Sequence, residues 1–496
     1  MTPSAEPLLL RADAGERVGA GHVMRCLALA QAWRAAGGDA VFVTRPLPAA
    51  LAERLRAEGA RVCPLPTGDD AQQTIALAAE LGAKWIVLDG YEFGHEYQRA
   101  IKGAGLRLLV LDDYGHASDH CANLVLNQNI QATREMYSRR EPSTELLLGT
   151  RYVLLRQEFL QARKARAQSG TVRRVLVSMG GADPDNVTLK MLEALTALEV
   201  ETTAVIGPAN PRGAALEEFA RQSGGRLRVR RNATDMPELM AAADLAVAAA
   251  GSTCWELAYM GLPQLLVILA ENQRGAAERL DAIGAARNLG WHASLDVATL
   301  RAEIATLLAD RERCAAMSER ASELVDGRGA QRVVMAMKSR SLTLRPAGPD
   351  DARLIFDWAN EPATRAASFS SERIPWEQHR DWFTRKLRDP DCHFFVVLGL
   401  QQKPIGQVRF DRIGADAVIS LSLDAGARGR GIGSAVISAA CRELFQKSDT
   451  PAVTAYIKPD NEASLRAFLN ADFEPLAPTT TRGQTAAHLV FRRPEL

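Results

Sequence analysis

The sequence is poor in cysteine and carries almost no net charge. Its seven cysteines are scattered and odd in number, and no two form a Cys-x-x-Cys pair. This pattern argues against a disulfide framework or a zinc cluster and favours a reducing compartment. The formal net charge is only +1, so no overall field attracts nucleic acid or an anionic membrane.

Two further features are missing from the sequence. No apolar run is long enough to cross a bilayer, and no basic segment followed by an apolar one opens the chain. We therefore expect a cytoplasmic protein with no membrane partner and no nucleic-acid partner.

What the sequence does contain is a long alternation of strand-like and helix-like segments. A chain of 496 residues is too long for one core and predicts about three domains. We place them at residues 1–165, 172–338 and 342–496. The expected fold is α/β, with two Rossmann-like domains followed by a smaller α/β domain.

The first domain has the pattern of a doubly wound parallel sheet. Buried strands are predicted at residues 8–12, 40–44, 85–89 and 106–112, with helices at 47–58 and 71–81. Ligands of such sheets bind beyond the carboxyl ends of the strands. Polar side chains lie at those ends, namely Arg11, Asp13, Asp89, Tyr91, Asp112 and Asp113.

The second domain repeats the pattern after a basic stretch at residues 162–174, which we interpret as a hinge. Strands are predicted at residues 175–178, 203–206, 245–248 and 264–268. A helix from residue 295 to about residue 338 is expected to close this half.

A glycine-rich turn, Gly19-Ala-Gly21-His22, lies between the first strand and the first helix. Free N–H groups and the helix dipole favour an anion there, and the glycines allow a close approach of the backbone. The helix field lowers the pKa of His22 while a bound phosphate raises it, so a base that titrates near neutrality is plausible. The alternative is a histidine that caps the helix.

The second domain carries polar groups suited to a nucleotide diphosphate. Gly180-Gly181 follows a strand, and Ser252 and Thr253 precede a helix, so their N–H and hydroxyl groups can bind phosphate oxygens. Glu256 can accept both ribose hydroxyls. The alternatives are a plain turn and a capping box formed by Ser252 or Thr253 with Glu256.

Several short motifs between residues 8 and 339 share their order and spacing with one enzyme family. They are Gly21-His22-Val-Met-Arg25, Leu88-Asp-Gly-Tyr91, Leu111-Asp-Asp113 with Cys121-Ala-Asn-Leu-Val-Leu-Asn127, Arg151-Tyr152-x3-Arg156, Met179-Gly-Gly-Ala-Asp183 and Glu271-Asn272-Gln273. The chain thereby resembles the UDP-sugar hydrolases of pseudaminic acid biosynthesis. These hydrolases are related to the two-domain GT-B-type glycosyltransferases but use water as the acceptor. The resemblance implies hydrolysis of UDP-2,4-diacetamido-2,4,6-trideoxy-β-L-altropyranose to UDP and free sugar. It also implies cleavage of the sugar C1–O bond with inversion and no required metal.

The same resemblance implies roles for individual residues. His22 is expected to be the general base, and Tyr91 and Asn272 are expected to be catalytic or to position the substrate. The expected substrate- and UDP-binding residues are Gly21, Arg25, Gly180, Gly181, Ser252, Thr253 and Glu256.

His116 and His120, which follow Asp112 and Asp113, offer an alternative as metal ligands. The segment is predicted to be a loop, in which their spacing fixes no common face. We therefore expect no metal site. His95, His292 and His488 are interpreted as surface or capping residues.

The third domain has its own glycine-rich loop. Residues 418–424 are strand-like, residues 428–433 read Arg-Gly-Arg-Gly-Ile-Gly, and a helix is predicted from residue 434 to about 444. Such a loop exposes N–H groups to a pyrophosphate, and its arginines add positive charge. A strand at residues 453–457 and the segment Asn461-Glu-Ala-Ser464 follow.

These features resemble the GNAT acetyltransferases over about residues 342–494. The resemblance implies acetyl-CoA as co-substrate, bound by Arg428, Gly429, Arg430, Gly431, Gly433, Asn461 and Ser464. The segment that contains Trp358, Asn360 and Arg365 resembles the subgroup that acetylates the 4-amino group of UDP-4-amino sugars. An amphipathic helix packed on the sheet is the alternative for the tryptophans.

Phe468 departs from the GNAT pattern. Most GNAT enzymes have a tyrosine there that protonates the leaving CoA thiolate, and phenylalanine has no proton to donate. Either water or another donor replaces it, with Tyr456 the nearest in sequence, or the domain is slow or inactive.

We interpret the chain as two enzymes, with UDP-amino sugars and acetyl-CoA as small-molecule partners. The C-terminal domain would acetylate the 4-amino group, and the first two domains would then hydrolyse the product. The alternatives are a hydrolase of the legionaminic acid route, a GT-B glycosyltransferase, and a nucleotide-sugar sensor with an inactive acetyltransferase domain.

Overall fold

The computed structural model describes residues 6–15, 19–117, 119–163, 173–207, 210–399, 402–429 and 431–493. The chain divides into two units, Met1–Val333 and Val334–Leu496. Unit 1 contains two parallel sheets, and unit 2 contains one mixed sheet. The predicted α/β fold class, with two Rossmann-like sheets followed by a C-terminal α/β domain, is confirmed.

The first sheet of unit 1 has seven parallel strands. They are β1 (Pro7–Ala12), β2 (Asp39–Thr44), β3 (Arg61–Pro64), β4 (Trp85–Asp89), β5 (Arg107–Leu111), β6 (Leu124–Asn127) and β7 (Glu145–Leu148). The associated helices are α1 (Gly21–Ala35), α2 (Ala49–Ala57), α3 (Asp70–Leu81), α4 (His95–Gly103) and α5 (Gln157–Ala162). The order β3-β2-β1-β4-β5-β6-β7 reverses the winding between β1 and β4. Ligands of open α/β sheets bind at this switch point.

The second sheet of unit 1 has six parallel strands in the order β10-β9-β8-β11-β12-β13. They are β8 (Arg174–Ser178), β9 (Glu201–Ile206), β10 (Leu227–Arg231), β11 (Leu245–Ala249), β12 (Gln264–Ile268) and β13 (Arg287–Trp291). The helices between them are α6 (Val187–Thr196), α7 (Gly213–Gln222), α8 (Met236–Ala242), α9 (Thr253–Tyr259) and α10 (Glu271–Ala282). The switch point lies between β8 and β11, at the equivalent position to that of the first sheet.

The prediction of one long helix from residue 295 to about residue 338 is wrong. The chain forms three helices there, namely α11 (Val297–Ala309), α12 (Arg311–Leu324) and α13 (Gly329–Arg340). Asp310 ends α11, and its side chain caps α12 by accepting from the Arg313 N–H. Gly327, with φ +80°, separates α12 from α13. The hinge predicted at residues 162–174 lies mostly outside the described residues.

Unit 2 is built on a seven-stranded sheet in the order β14-β15-β16-β17-β18-β20-β19. Its strands are β14 (Thr343–Pro346), β15 (Cys392–Leu398), β16 (Pro404–Ile413), β17 (Asp416–Leu423), β18 (Ala452–Ile457), β19 (Glu474–Thr481) and β20 (Gln484–Arg492). Its helices are α14 (Ala352–Ala359), α15 (Pro362–Ala367), α16 (Trp376–Arg388), α17 (Gly433–Lys447) and α18 (Glu462–Asn470).

The two central strands of this sheet are parallel and pair over a short distance only. Ala417 is opposite Val453 and Val418 is opposite Thr454, and the ladder between β17 and β18 consists of these two pairs. Both strands continue beyond the paired residues, to Leu423 and Ile457. The ladder between the two strands therefore ends well before their carboxyl ends at Leu423 and Ile457.

Among the described residues, no helix combines the length and the apolar character that a membrane crossing requires.

Candidate functional site

Unit 1 contains a cavity of about 510 Å³ between its two sheets, which we call the central cavity. Loops that follow β1, β4 and β5 line it from the first sheet, and loops that follow β8, β11 and β12 line it from the second. Both switch points thus contribute to one site. Most predicted site residues of unit 1 line it, namely Gly21, His22, Arg25, Tyr91, Gly180, Ser252, Thr253, Glu256 and Asn272.

Gly181, which is not among the lining residues, lies where the two glycine turns meet. A Cβ atom at Gly181 would lie 3.0 Å from the Ala20 backbone nitrogen. A Cβ at Gly207 would in turn lie 2.3 Å from the Gly181 carbonyl oxygen. The absence of a side chain at Gly181 therefore allows the two halves to approach each other closely.

His22, on the first turn of α1, is paired with a buried carboxylate. Its Nδ1–H donates to Asp89 Oδ1 at 2.5 Å, which assigns the free lone pair of the neutral ring to Nε2. Asp89 is fully buried at the end of β4. The N-cap residue of α1 is Ala20, which makes no side-chain capping bond, and His22 lies within the helix, so His22 is not a helix cap.

Asp89 receives two guanidinium bonds as well as the imidazole bond. Arg25 Nε donates to its Oδ2 at 2.6 Å, and Arg25 Nη2 donates to its Oδ1 at 2.6 Å. Burial raises the pKa of Asp89, but the charges of Arg25 and His22 outweigh burial and hold that pKa well below its usual range. Asp89 is therefore a carboxylate at neutral pH.

Burial and the neighbouring charge also oppose each other in setting the pKa of His22, with the signs reversed. Burial lowers the pKa of His22, while the charge and hydrogen bond of Asp89 raise it, and the net pKa lies above its ordinary value. A buried imidazole held by a carboxylate can accept a proton at Nε2 and remain stabilised as imidazolium.

A second group of hydrogen bonds joins Tyr91 of the first half to Asn272 of the second half. The Tyr91 hydroxyl donates to Asp113 Oδ2 at 2.8 Å and accepts from Asn272 Nδ2 at 2.6 Å. Arg25 Nη1 also donates to Asp113, at 2.7 Å. Arg25 thus connects the His22–Asp89 pair to Tyr91 and Asn272.

Glu256 lies on the opposite side of the cavity in a network of charges that are mostly covered from solvent. Arg156 Nη1 is 2.9 Å from Glu256 Oε1, and Arg156 Nε is 2.7 Å from Glu158 Oε1. Burial raises the pKa of Glu256, and the nearby Arg156 charge opposes this without cancelling it. Because Glu256 pairs with Arg156, the capping box considered from the sequence is not formed, and Ser252 makes no side-chain capping bond.

The arginines that line the cavity already have carboxylate partners. Arg25 pairs with Asp89 and Asp113, Arg54 with Glu58 and Glu158, and Arg156 with Glu158 and Glu256. A diphosphate bound in this cavity would therefore rely on neutral donors. The Gly180 turn, which has φ +85°, and the N–H and hydroxyl groups of Ser252 and Thr253 are such donors.

The side chains of Asp112, His116 and His120 lie close together. His116 Nδ1 is 3.0 Å from Asp112 Oδ2, and His120 Nε2 is 3.9 Å from the same oxygen. Within the described ranges, no group of three or more His, Cys, Asp or Glu side chains has an arrangement that could hold a metal ion.

In unit 2 the predicted acetyl-CoA loop contains two glycines with positive φ, Gly429 at +72° and Gly431 at +67°. Arg428 donates to the Leu423 carbonyl oxygen at 2.9 Å and pairs with Glu361. Gly433 begins α17. Arg430 lies outside the described residues.

Asn461 caps α18, because its side-chain oxygen accepts from the Ser464 N–H at 3.1 Å. Both residues therefore fix the start of the helix that follows β18, and their predicted contact with acetyl-CoA stays a prediction.

The residues predicted to bind the acceptor have partners within the protein. Trp358 Nε1–H donates to Asp424 Oδ2 at 3.2 Å. The Asn360 side chain bonds both the N–H and the carbonyl of Ile374, and Arg365 donates to the carbonyls of Ala359, Ser370 and Glu372. Asn360 and Arg365 thus hold the segment that connects α14 to α16.

Phe468 is buried, with its ring 4.9 Å from that of Phe473. It packs in a core that includes Ala455 and Ile457. Side chains alternate along a strand, so Tyr456 projects from the opposite face, where it stacks on His488 at 5.1 Å. Tyr456 and Phe468 therefore do not occupy equivalent positions.

Several residues of these networks were not predicted as site residues. Asp89 and Asp113 were noted as polar strand ends and as members of the shared motifs, and Arg156 was noted as part of a motif; none of the three was given a role. Their position after buried strands was the available signal for the two aspartates. For Arg156 the sequence contained no signal of its pairing with Glu256, which lies 100 positions further along the chain.

Two family models match parts of the chain. Residues 176–333 match the glycosyltransferase family 28 C-terminal domain. Residues 341–474 match the acetyltransferase (GNAT) domain.

Three relatives illustrate how far the similarity extends. The uncharacterized protein MJ1062 of Methanocaldococcus jannaschii is 20% identical over 424 residues, 82% of this chain and 83% of the relative. The UDP-2,4-diacetamido-2,4,6-trideoxy-beta-L-altropyranose hydrolase of Campylobacter jejuni is 26% identical over 220 residues, 43% of this chain and 74% of the relative. The spore coat polysaccharide biosynthesis protein SpsG of Bacillus subtilis is 26% identical over 200 residues, 40% of this chain and 59% of the relative.

The matches cover different parts of the chain and agree with its two kinds of sheet. The glycosyltransferase match covers the second parallel sheet, and the GNAT match covers most of the mixed sheet. One part of the chain is therefore similar to the glycosyltransferase family 28 C-terminal domain, and another part is similar to the GNAT acetyltransferase domain.

Proposed function

We propose that unit 1 hydrolyses a UDP-linked amino sugar and that the GNAT domain acetylates the 4-amino group of the sugar nucleotide that precedes it. The proposed substrate of hydrolysis is UDP-2,4-diacetamido-2,4,6-trideoxy-β-L-altropyranose, the compound in the name of the Campylobacter jejuni relative. The pairing of His22 with Asp89 at 2.5 Å in the central cavity carries the proposal.

In the proposed reaction, His22 Nε2 accepts a proton from water as the water oxygen attacks C1 of the sugar. The bond from C1 to the diphosphate oxygen breaks, and its electron pair leaves with UDP. Attack from the face opposite to UDP gives inversion. Asp89 stabilises the imidazolium that forms, because it remains ionised beside the ring.

Departure of UDP requires stabilisation of negative charge on the diphosphate. Neutral donors around Gly180, Ser252 and Thr253 line the cavity on the side of the second sheet. Donors held in place by the backbone need no reorganisation during the reaction, so they stabilise the developing charge efficiently. Glu256, held by Arg156, is available to accept the ribose hydroxyls.

In the GNAT domain, the sugar 4-amine would attack the thioester carbonyl of acetyl-CoA. The new C–N bond forms, the C–S bond breaks, the amine nitrogen gives up one proton to water, and the CoA thiolate takes up one proton. The match to the GNAT model and the glycine loop before α17 support this step. Since Phe468 has no proton to give, we propose that water protonates the thiolate.

A second candidate is transfer of the sugar to an acceptor hydroxyl, and the glycosyltransferase family 28 match favours it. The two candidates differ in what releases UDP. Hydrolysis needs only water, whereas transfer needs an added acceptor.

Incubation of the full chain with the UDP-sugar alone separates the candidates. UDP released without an acceptor supports hydrolysis, and UDP released only after an acceptor is added supports transfer. Binding without turnover would instead indicate a sensor.

The His22→Asn variant tests the proposed base. We expect it to bind UDP normally and to lose about 100- to 10,000-fold in turnover. His393→Asn, in unit 2, is the matched control and should release UDP at the wild-type rate. Full hydrolysis by the His22→Asn variant would refute the assignment.

A further inference from the structure

A second pocket adjoins the central cavity on the outer side of Tyr91 and Asn272. It has a volume of about 430 Å³ and is lined by Tyr91, Tyr114, Glu271, Asn272, Arg274, Gly275 and Glu278. We call it the outer pocket. Tyr91 and Asn272 line both spaces, and the 2.6 Å hydrogen bond between them forms part of the common wall.

One side of the outer pocket is aromatic. Tyr91 and Tyr114 are 37% and 46% exposed, and they are two of the four large apolar residues with exposed side chains among those described. Their ring centroids are 5.3 Å apart, and the His116 ring packs against both at 5.4 and 5.8 Å. Hydrogen bonds from the Tyr91 hydroxyl to Asp113 and from the Tyr114 N–H to Asp112 fix this surface.

The other side of the pocket is a polar face of α10. Glu271, Arg274 and Glu278 lie one turn apart along the helix; the two glutamates are exposed and Arg274 is half-buried. Arg274 donates to Glu271 at 2.7 Å and lies 3.9 Å from Glu278. Carboxylates accept from hydroxyl and amide N–H groups, and the guanidinium donates to an acetyl carbonyl.

From this juxtaposition we propose that the outer pocket is a subsite for a neutral acetamido sugar, which receives the free sugar after its bond to UDP has broken. An aromatic surface suits the apolar face of a pyranose ring, and the polar side chains of α10 suit its hydroxyl and acetamido groups. The subsite deepens the proposed function and rests on it for the identity of the sugar.

The charges of the pocket favour the free sugar over the nucleotide. Its ionisable lining consists of the two glutamates and Arg274, which leaves one negative charge in excess. Arg274 is paired with the two glutamates and is not free to bind a diphosphate, whereas a diacetamido sugar carries no charge and needs no counter-ion. The pocket therefore suits the product that has lost UDP.

The test is binding of free 2,4-diacetamido-2,4,6-trideoxy-L-altropyranose to the full chain, measured by saturation-transfer NMR and calorimetry. The His22→Asn protein, saturated with intact UDP-sugar, keeps the central cavity filled. We expect the free sugar still to bind, and Tyr114→Ala or Glu278→Gln to weaken that binding by about tenfold or more. Tyr114→Phe, which keeps the ring, and Glu312→Gln, an exposed control on α12, should bind as before.

Three results would overturn the subsite: displacement of the free sugar by UDP-sugar, binding that is indifferent to Tyr114→Ala, or no binding at millimolar sugar. Melting curves of each variant establish that it is folded. UDP release by the wild-type protein is measured in parallel and reports on hydrolysis separately. Sugar binding beside UDP-sugar without any hydrolysis would preserve the subsite and refute the hydrolase.

Discussion

At the scale of single residues, the chemistry of unit 1 depends on the effect of Asp89 on His22. The two groups are 67 positions apart in the chain and 2.5 Å apart in the fold. Their contact combines orientation with electrostatics, because Asp89 holds Nδ1 and raises the pKa of the ring. The base must be neutral to act, so the rate should rise as the pH increases through the pKa of His22.

Asp89→Asn should therefore change the pH profile as well as the rate. Loss of the negative charge lowers the pKa of His22, so the acidic limb of kcat/KM for UDP release shifts to lower pH. The plateau should fall by about a hundredfold or more, because asparagine does not stabilise the imidazolium. Asp381→Asn, an exposed change in α16, should alter neither. An acidic limb that stays in place would contradict the proposed pairing.

The sequence predicted His22 as a site residue but did not predict the role of Asp89. His22 stood out because a glycine turn before a helix is a local pattern. Asp89 was recognisable as a polar strand end, but nothing local indicated that it would meet His22. That contact arises from the parallel register of β1 and β4, in which Ala12 is opposite Asp89.

At the scale of elements, a chain of ion pairs ties three helices to the nucleotide side of the cavity. Arg54 of α2 and Arg156, which precedes α5, share Glu158, and Arg156 also reaches Glu256 of α9. Arg156 is buried and Glu256 is mostly covered, so water replaces a lost partner of either charge only in part.

Arg156→Met should consequently weaken both stability and nucleotide binding. Breaking a buried pair by removing one partner costs about 3–5 kcal/mol of the free energy of unfolding. The pKa of Glu256, already raised by burial, should rise further, so the KM for UDP-sugar should increase most at low pH. Denaturant unfolding and steady-state kinetics measure the two effects.

Arg301→Met, on the exposed face of α11, is the control and should change stability by no more than about 0.5 kcal/mol. An Arg156→Met protein as stable as wild type would show that the ion pairs contribute little.

Gly431, in the loop before α17, can be compared with Gly414, which lies elsewhere in unit 2 and has the same backbone strain. Gly431 and Gly414 have φ of +67° and +65°, and a Cβ on either would meet nothing within 4 Å. Alanine should therefore cost each site about 1–2 kcal/mol. Gly431→Ala should raise the KM for acetyl-CoA about five- to tenfold, while Gly414→Ala, at a hairpin tip, should leave it unchanged. If the two variants had the same KM for acetyl-CoA, the loop before α17 would not bind acetyl-CoA.

Most elements were predictable from periodicity, and the exceptions have local causes. The strands that were predicted in the parallel sheets agree with the structure within a few residues, because burial on both faces makes them nearly continuous apolar runs. Five further strands were not predicted, namely β3, β6, β7, β10 and β13. The stretch from residue 295 to residue 338 looked like one helix because its apolar spacing hardly changes. Asp310 and Gly327 divide it, and single capping residues are easily overlooked within a long amphipathic pattern.

The roles proposed for Asn360 and Arg365 illustrate a different limit of prediction from sequence. A motif shared with a family indicates which residues matter, but not whether they contact a ligand or support the fold. Both side chains bond backbone groups between residues 359 and 374. Their contact with an acceptor sugar stays a prediction.

At the scale of the whole molecule, a substitution that impairs the activity of one unit should leave the activity of the other unit unchanged. Each has its own core and its own predicted site. With a UDP-4-amino sugar and acetyl-CoA, His22→Asn should release CoA at the wild-type rate and accumulate the acetylated UDP-sugar. Gly431→Ala should instead slow CoA release while it hydrolyses supplied UDP-diacetamido sugar normally. Proton NMR follows both steps, and loss of both activities in either variant would contradict this independence.

The most direct test of the central claim is the mass of the UDP formed in H₂¹⁸O from the UDP-sugar alone. If water attacks C1, UDP keeps the bridging oxygen and is released unlabelled without any acceptor. ¹⁸O in the β-phosphate of UDP would mean that water attacks phosphorus. No UDP at all until an acceptor is added would mean that the chain transfers the sugar rather than hydrolysing it.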